Sequence, residues 1–292
     1  MKMPSAHRPL VLGASGLVGS RLADFLETRY PETSSASRVE MDITDRWRVE
    51  AELERLRPTV VINAAGMSDV DRCEKEPGLA HSVNASGPER LASACRAARV
   101  RLIHLSTDYV FDGEKGAEYD EADPPNPVNE YGRSKLLGEM AILETLVDAI
   151  VLRTSFVFGP GRETFIDKIA RRALDETGPV EIVDGWVSRP TSTDQICRAI
   201  DAMLDTDETG VWHVACPPAG SRLEFSRRVF ELLGEDAGRV VPIPPESLEL
   251  PARRPPATPL ATRRFEESFG EVASWIDEAR EYLHRHVTTH GE

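Results

Sequence analysis

Lysine is nearly missing from this chain: of 35 basic residues only Lys2, Lys75, Lys115, Lys135 and Lys168 are lysine, the rest being arginine. Acids outnumber the bases, 49 to 35, for a net charge of −14. The bases gather into no stripe, which excludes the electrostatic footprint of a nucleic-acid binder. Cysteine is as sparse. Cys73, Cys95, Cys197 and Cys216 stand far apart with no CxxC pair, which excludes a disulfide framework and a thiolate zinc site and predicts reduced thiols in a cytoplasmic protein. No apolar run approaches the about 18 residues of a membrane span, and the N-terminal apolar stretch breaks at Gly13, so neither a span nor a signal peptide is expected. His284, His286 and His290 read as a solvated helix end, and no metal is expected.

What is present is a rhythm. The apolar stretch from Pro9 to Leu12 runs into Gly13-Ala14-Ser15-Gly16-Leu17-Val18-Gly19 and then an amphipathic run from Ser20 to Thr28. Strand, glycine turn and helix are the context of a dinucleotide site: Gly13 allows the tight turn, Gly16 the approach of backbone to a pyrophosphate, and Gly19 close packing of the helix. The spacing is GxxGxxG, not GxGxxG. Further apolar strands at Val60–Asn63, Leu102–Ser106 and Ile150–Arg153 alternate with helical patterns near Pro88–Ala98 and from Tyr131 onward. This alternation predicts an α/β fold with a doubly wound parallel Rossmann sheet. Past Ser155 the pattern turns irregular and proline-rich. A chain of 292 residues suits a dinucleotide-binding domain over residues 1–155 and a smaller, interleaved substrate domain over 156–292, with 193–215 returning to the first.

Two strand ends carry the candidate chemistry. Val60 to Asn63 ends in Ala64-Ala65-Gly66, small residues beside which a cofactor can pass close to backbone. The next strand ends in Ser106-Thr107-Asp108-Tyr109, with hydroxyls and a carboxylate at the same edge of the sheet. Tyr131 and Lys135 then lie four residues apart at the start of a helix, on one face. A phenol with a reference pKa of about 10 becomes a usable acid–base group when a lysine cation favours its phenolate. With Thr107, the pair forms proton-transfer equipment for a carbonyl or alcohol oxygen.

The pairing of Ser106-Thr107-Asp108-Tyr109-Val110-Phe111-Asp112-Gly113 with Tyr131-Gly132-Arg133-Ser134-Lys135-Leu136-Leu137-Gly138-Glu139 resembles the extended short-chain dehydrogenase/reductase superfamily and, within it, the dTDP-4-dehydrorhamnose reductase family. The resemblance runs nearly the whole chain, through Val61-Ile62-Asn63-Ala64-Ala65, Val70-Asp71, Glu74, Asn84, Pro127-Val128-Asn129-Glu130, Leu152-Arg153-Thr154-Ser155, Pro190-Thr191 and Pro251-Ala252-Arg253-Arg254-Pro255. It implies reduction by NADPH or NADH of the C4 ketone of a 6-deoxyhexulose carried on dTDP, giving dTDP-L-rhamnose. Tyr131 would donate the proton, Thr107 hold the same oxygen, and Lys135 bind the nicotinamide ribose and lower the Tyr131 pKa. Cofactor contacts implied by motif are Gly13, Gly16, Leu17, Val18, Gly19, Asp42, Ile43, Ala64, Ala65, Gly66, Met67, Ser68, Tyr131 and Lys135, with Asp42 and Ile43 meeting the adenine. Substrate contacts implied are Thr107, Asp108 and Phe156, with Asn84 anchoring backbone or water near Lys135.

Four departures bear on the assignment. Phe156 stands where the family presents tryptophan, Leu17 replaces a polar residue, Met67 replaces a histidine, and Arg21 occupies the helix position of a metal-binding glutamate. No acid is evident at the end of the second strand, where Tyr30 to Val39 is polar and poorly strand-like, so the choice between NADH and NADPH stays open. Arg38 and Arg29 are the candidates for a 2′-phosphate. Open alternatives are a reductase or epimerase of another nucleotide-sugar, or a non-catalytic NADP-binding subunit resembling the regulatory beta subunit of methionine adenosyltransferase. The expected partner is a nucleotide-sugar, with no nucleic acid and no membrane. A homodimer remains open.

Overall fold

The computed structural model describes residues 7–287; His290 lies outside them. Among the described residues ten strands are formed: β1 (Pro9–Leu12), β2 (Ser34–Ala36), β3 (Val60–Asn63), β4 (Arg101–Thr107), β5 (Ile150–Thr154), β6 (Val157–Phe158), β7 (Val180–Val183), β8 (Thr191–Ser192), β9 (Gly210–His213) and β10 (Val240–Ile243). Six make one wholly parallel sheet in the order β2-β1-β3-β4-β5-β9. The continuous apolar runs of β1, β3 and β5 follow from that position, because helices cover both faces and every residue of these three strands is buried. One face packs on Leu22, Leu26, Ile196 and Ile200, the other on Val49, Leu53, Leu91 and Ile142.

The polar stretch from Tyr30 to Val39 holds a strand after all, but only three residues of it. β2 gains its place by pairing Ser34, Ser35 and Ala36 with Leu10, Val11 and Leu12, a tertiary pairing that overrides weak local propensity. The sheet order reverses between β1 and β3, which is where an open α/β sheet leaves a crevice at its carboxyl edge. Two small parallel pairs, β7 with β10 and β6 with β8, lie outside the main sheet. β9 pairs with β5 at the sheet's edge, register Ile150 to Gly210 through Arg153 to His213. Among the described residues no helix is long and apolar enough to cross a membrane.

Buried polar pairs fasten the layers. Arg153 of β5 donates to both oxygens of Glu139, at 3.0, 3.1 and 2.6 Å, and the two side chains are 4% and 2% exposed. Arg21 reaches Asp194 at 2.6 Å, tying the Leu17–Arg29 helix to the Thr193–Leu204 helix.

Candidate active site

The turn after β1 is built by close approach. Gly13 has φ +77°, and its N–H donates to Ala36 O at 3.0 Å. A Cβ there would fall 2.7 Å from Ala65 N and 2.8 Å from Ala64 O, and one on Gly19 would fall 2.1 Å from Gly13 O. The turns after β1 and β3 therefore touch backbone to backbone. Gly16 caps the Leu17–Arg29 helix without a side-chain bond, so the first helical N–H groups, those of Leu17 and Val18 included, keep their donor capacity and the positive end of the dipole for a phosphate. The cradle fits a dinucleotide pyrophosphate. Gly19→Ala is expected to weaken dinucleotide affinity at least about tenfold, roughly 1.4 kcal/mol, measured by titration of the purified protein, because the methyl meets a carbonyl that cannot retreat.

Asp42 and Ile43 are placed differently from one another. Ile43 is buried, 3% exposed, in the core under the helix beginning at Gly87. Asp42 accepts from Thr44 N at 2.9 Å, Thr44 Oγ1 at 2.7 Å and Arg38 Nε at 3.1 Å; burial opposes ionisation, but these donors leave its pKa lowered. Past the end of β2, Glu40 reaches back to accept from Ser37 N and Oγ at 2.8 and 2.7 Å.

The loop after β3 is held by one amide. Asn84 sits fully buried in a π-helical turn, Ser82–Ser86; its Oδ1 accepts from Met67 N at 2.8 Å, and its Nδ2 donates to Met67 O at 2.9 Å and Ser134 Oγ at 3.1 Å. Asn84 thus fixes the Gly66-Met67-Ser68 backbone against the helix that carries Tyr131. A Cβ on Gly66 would lie 3.9 Å from Lys135 Nζ, so this loop passes over the lysine.

Tyr131 lies in the first turn of the Glu130–Thr145 helix, capped by Asn129, whose Oδ1 accepts from Gly132 N at 2.8 Å. Asn129 Nδ2 donates to Arg253 O at 2.8 Å, and Glu74 Oε2 accepts from Glu130 N at 2.9 Å. Arg254 donates to both Asp71 oxygens, at 2.9 and 2.8 Å, and Ala252 N to Asp71 at 3.1 Å. Motif residues separated by most of the chain thus clamp the N-terminus of one helix. Thr107, 5% exposed at the end of β4, donates to Asp108 Oδ1 at 3.0 Å. Its hydroxyl also bears on the Tyr131 phenol and lowers its pKa, but burial outweighs this and holds the phenol above its ordinary range. Burial raises Asp108 to about 6, against the donors Thr258 Oγ1 at 2.5 Å and Thr107.

Lys135 stands one turn beyond Tyr131, 5% exposed, and burial lowers it to about 8. Its Nζ donates to Leu105 O at 2.6 Å and meets His104 Nε2 at 3.1 Å. The expectation that a lysine cation draws the phenol downward is not met in this arrangement, because the amine is turned to β4. His104 was not singled out by sequence, although a lone histidine inside the apolar run Leu102–Leu105 was its signal.

On the substrate side, Phe156 holds φ +45° and does not offer a bare ring. The Arg222 guanidinium carbon lies 3.1 Å from its centroid, and Phe225 stacks on it at 5.6 Å and 19°. Arg222 also donates to Ser188 Oγ at 3.2 Å and bears on Tyr109 and Asp108, while burial lowers it to about 10. It makes no ion pair with any described carboxylate. Sequence reasoning missed it because nothing local distinguishes an arginine at the first position of the Arg222–Leu233 helix.

Comparison with known proteins gives concordant results. The family described as RmlD substrate binding domain matches residues 7–288. A dTDP-4-dehydrorhamnose reductase of Streptomyces griseus is 38% identical over 254 residues, 85% of this chain and 83% of that protein. A dTDP-4-keto-6-deoxy-D-glucose reductase of Streptomyces niveus is 36% identical over 263 residues, 89% of this chain and 91% of the relative. Among solved structures, dTDP-4-dehydrorhamnose reductase from Bacillus anthracis in complex with NADP superposes with a TM-score of 0.91 at 27% identity, covering 96% of this chain and 99% of that one.

Proposed function

The chain belongs to the RmlD substrate binding domain family, and from that premise we propose that it is an NADPH-dependent oxidoreductase that reduces the C4 ketone of dTDP-4-dehydrorhamnose to the alcohol of dTDP-L-rhamnose. The observation that supports this reading is the Thr107 hydroxyl bearing on the Tyr131 phenol, with Lys135 one turn on in the same helix, beside a cradle suited to a dinucleotide. The relatives named for this reaction, and the NADP-bound structure among them, support it. The four thiols, all buried and unpaired, suit a reducing compartment such as the cytoplasm.

A nicotinamide dinucleotide, when bound, supplies the hydride. The residues of the chain do the rest. Thr107 and Tyr131 address one carbonyl oxygen, and the burial that keeps the phenol protonated makes it a donor. As charge develops on that oxygen, Tyr131 gives it a proton, an effect worth about 10²–10⁴ in rate. Arg222, lying over the Phe156 ring and beside Tyr109 and Asp108, is the cation of this side of the site and would engage the anionic nucleotide-sugar. An Arg222→Met variant is expected to raise KM for the nucleotide-sugar roughly 10- to 100-fold, in line with about 1.5–3 kcal/mol for hydrogen bonds to a charged group, with kcat changed less and dinucleotide affinity unchanged. Steady-state kinetics over substrate concentration checks this.

The function itself is tested by mixing protein and NADPH with dTDP-4-dehydrorhamnose and following coenzyme oxidation. Oxidation in step with dTDP-rhamnose formation is expected. Oxidation only with dTDP-4-keto-6-deoxy-D-glucose would move the substrate to that sugar, as the Streptomyces niveus relative suggests, and binding without oxidation would favour a regulatory role.

A further inference from the structure

A strained turn presents Phe156. Its φ of +45° lies in the left-handed region, which a bulky side chain enters at a cost and which recurs where a site requires it. Ser155 Oγ, donating to Arg189 O at 2.6 Å, and Thr191 N, donating to Phe156 O at 3.3 Å, fix the turn. Phe165 and Phe225 flank the ring, with centroids 5.2 and 5.6 Å away. On this floor of three rings lies the Arg222 guanidinium, its carbon 3.1 Å from the Phe156 centroid, 5.7 Å from that of Phe165 and 6.0 Å from that of Phe225. All three lie within cation–π reach, about 6 Å, and Phe156 is much the nearest. Arg222 directly follows Ser221, the N-cap of the Arg222–Leu233 helix, whose hydroxyl accepts from Glu224 N at 3.2 Å. The macrodipole opposes a cation in a helix's first turn, so the helix itself gives no reason for an arginine there.

The neighbouring charges leave this cation without an ion pair. Asp108, the carboxylate that bears on it, is engaged on one oxygen by Thr107 and on the other by Thr258. Arg254, which also bears on it, is paired with Asp71. The bond that Arg222 itself donates goes to the neutral Ser188 hydroxyl at 3.2 Å. An aromatic face attracts a guanidinium without consuming its in-plane N–H donors, whereas a carboxylate partner takes donors and charge together. We propose that Phe156 is a positioning residue: flanked by Phe165 and Phe225, its ring holds the Arg222 guanidinium in place for the anionic part of the nucleotide-sugar. A cation held in advance loses little rotamer freedom when its ligand arrives. Tyr109, which also bears on Arg222, meets Tyr131 edge-on at 5.8 Å, so the held cation stands one ring away from the proton donor. The inference rests on the reductase reading for the identity of its ligand, but its test needs no turnover.

The test titrates dTDP alone into the whole protein by calorimetry, comparing the unaltered chain with Phe156→Leu, Phe156→Tyr, Arg222→Met and the double variant Phe156→Leu/Arg222→Met. Phe156→Leu is expected to weaken dTDP about tenfold, the effect of a lost desolvated cation–π contact, and Phe156→Tyr, which keeps the ring face, should retain the affinity. In the Arg222→Met background Phe156→Leu should cost nothing further, because the two residues act as one unit. An equal loss in both backgrounds would overturn the inference, since the ring would then meet the ligand by itself. So would dTDP affinity indifferent to Phe156→Leu, or no dTDP binding by the unaltered protein. Should Phe156→Leu fail to fold, the unaltered protein labelled with ¹⁵N-arginine decides: the Arg222 Nε–H resonance, assigned by its loss in Arg222→Met, should lie upfield of the other arginines under the ring current, and an undisplaced resonance would overturn the inference. Coenzyme oxidation is read separately. The expected dTDP pattern without turnover would leave the Arg222 floor standing and remove the reductase reading, while turnover with dTDP affinity blind to Phe156 would do the reverse.

Discussion

Tyr131→Phe is expected to lower kcat by at least about 10² while leaving dinucleotide affinity nearly unchanged, because the lost proton is needed only as the carbonyl oxygen becomes charged. The variant removes one oxygen and keeps the ring, which meets Tyr109 edge-on at 5.8 Å, so packing is preserved. Thr107 and Lys135 remain in place. Their survival is why a residual rate should persist over the uncatalysed reaction. Because burial holds the phenol above its ordinary pKa, the wild-type phenol is the proton-bearing form at neutral pH and needs no pH adjustment to act as donor. Full kcat in the variant, measured at saturating substrate with dinucleotide binding titrated separately, would remove Tyr131 from the mechanism.

Arg153→Met should be the most costly single change to stability. It strands the Glu139 carboxylate, 2% exposed, without the guanidinium that now meets both its oxygens, and breaking such a buried pair costs about 3–5 kcal/mol. Against a total stability of about 5–15 kcal/mol, that is a large share. His213 Nε2, 3.5 Å from Arg153, and the Phe111 ring beneath it, 5.1 Å away, offer no replacement charge. Pairing the change with Glu139→Leu removes the orphan carboxylate and should recover most of the loss, since apolar replacement of a whole buried pair is often neutral or better. Denaturant unfolding of the single and double variants measures both. Glu139 lies one turn past Lys135 on the same helix, so the single variant should lose turnover along with stability.

Much of this is legible in the sequence, for identifiable physical reasons. The glycine turn, the apolar strand from Val60 and the Tyr131/Lys135 spacing are local patterns, each fixed by a period of two or 3.6 residues or by a positive φ. What could not be read were the long-range pairings. Asp71 and Arg254, or Asn129 and Arg253, are motif fragments whose shared purpose appears only when the fold brings them to one helix end. β2 was obscure because two serines and one alanine are too few to carry a period. The resemblance implies Phe156 as a substrate contact from its position alone, and only the packing reveals Arg222 over its ring. The spacing of Lys135 from Tyr131 puts the two on one helix face but says nothing of the Leu105 carbonyl and His104 ring that engage the lysine.

The central claim is hydride delivery to a sugar ketone, and it is tested most directly with NADPH carrying deuterium at the transferred position. Offered dTDP-4-dehydrorhamnose, the protein should yield dTDP-rhamnose with one deuterium at C4, seen by mass and by loss of the C4 proton resonance, in proportion to coenzyme oxidised. Unlabelled sugar from labelled coenzyme, or a changed sugar with no net coenzyme oxidation, would contradict the reductase account.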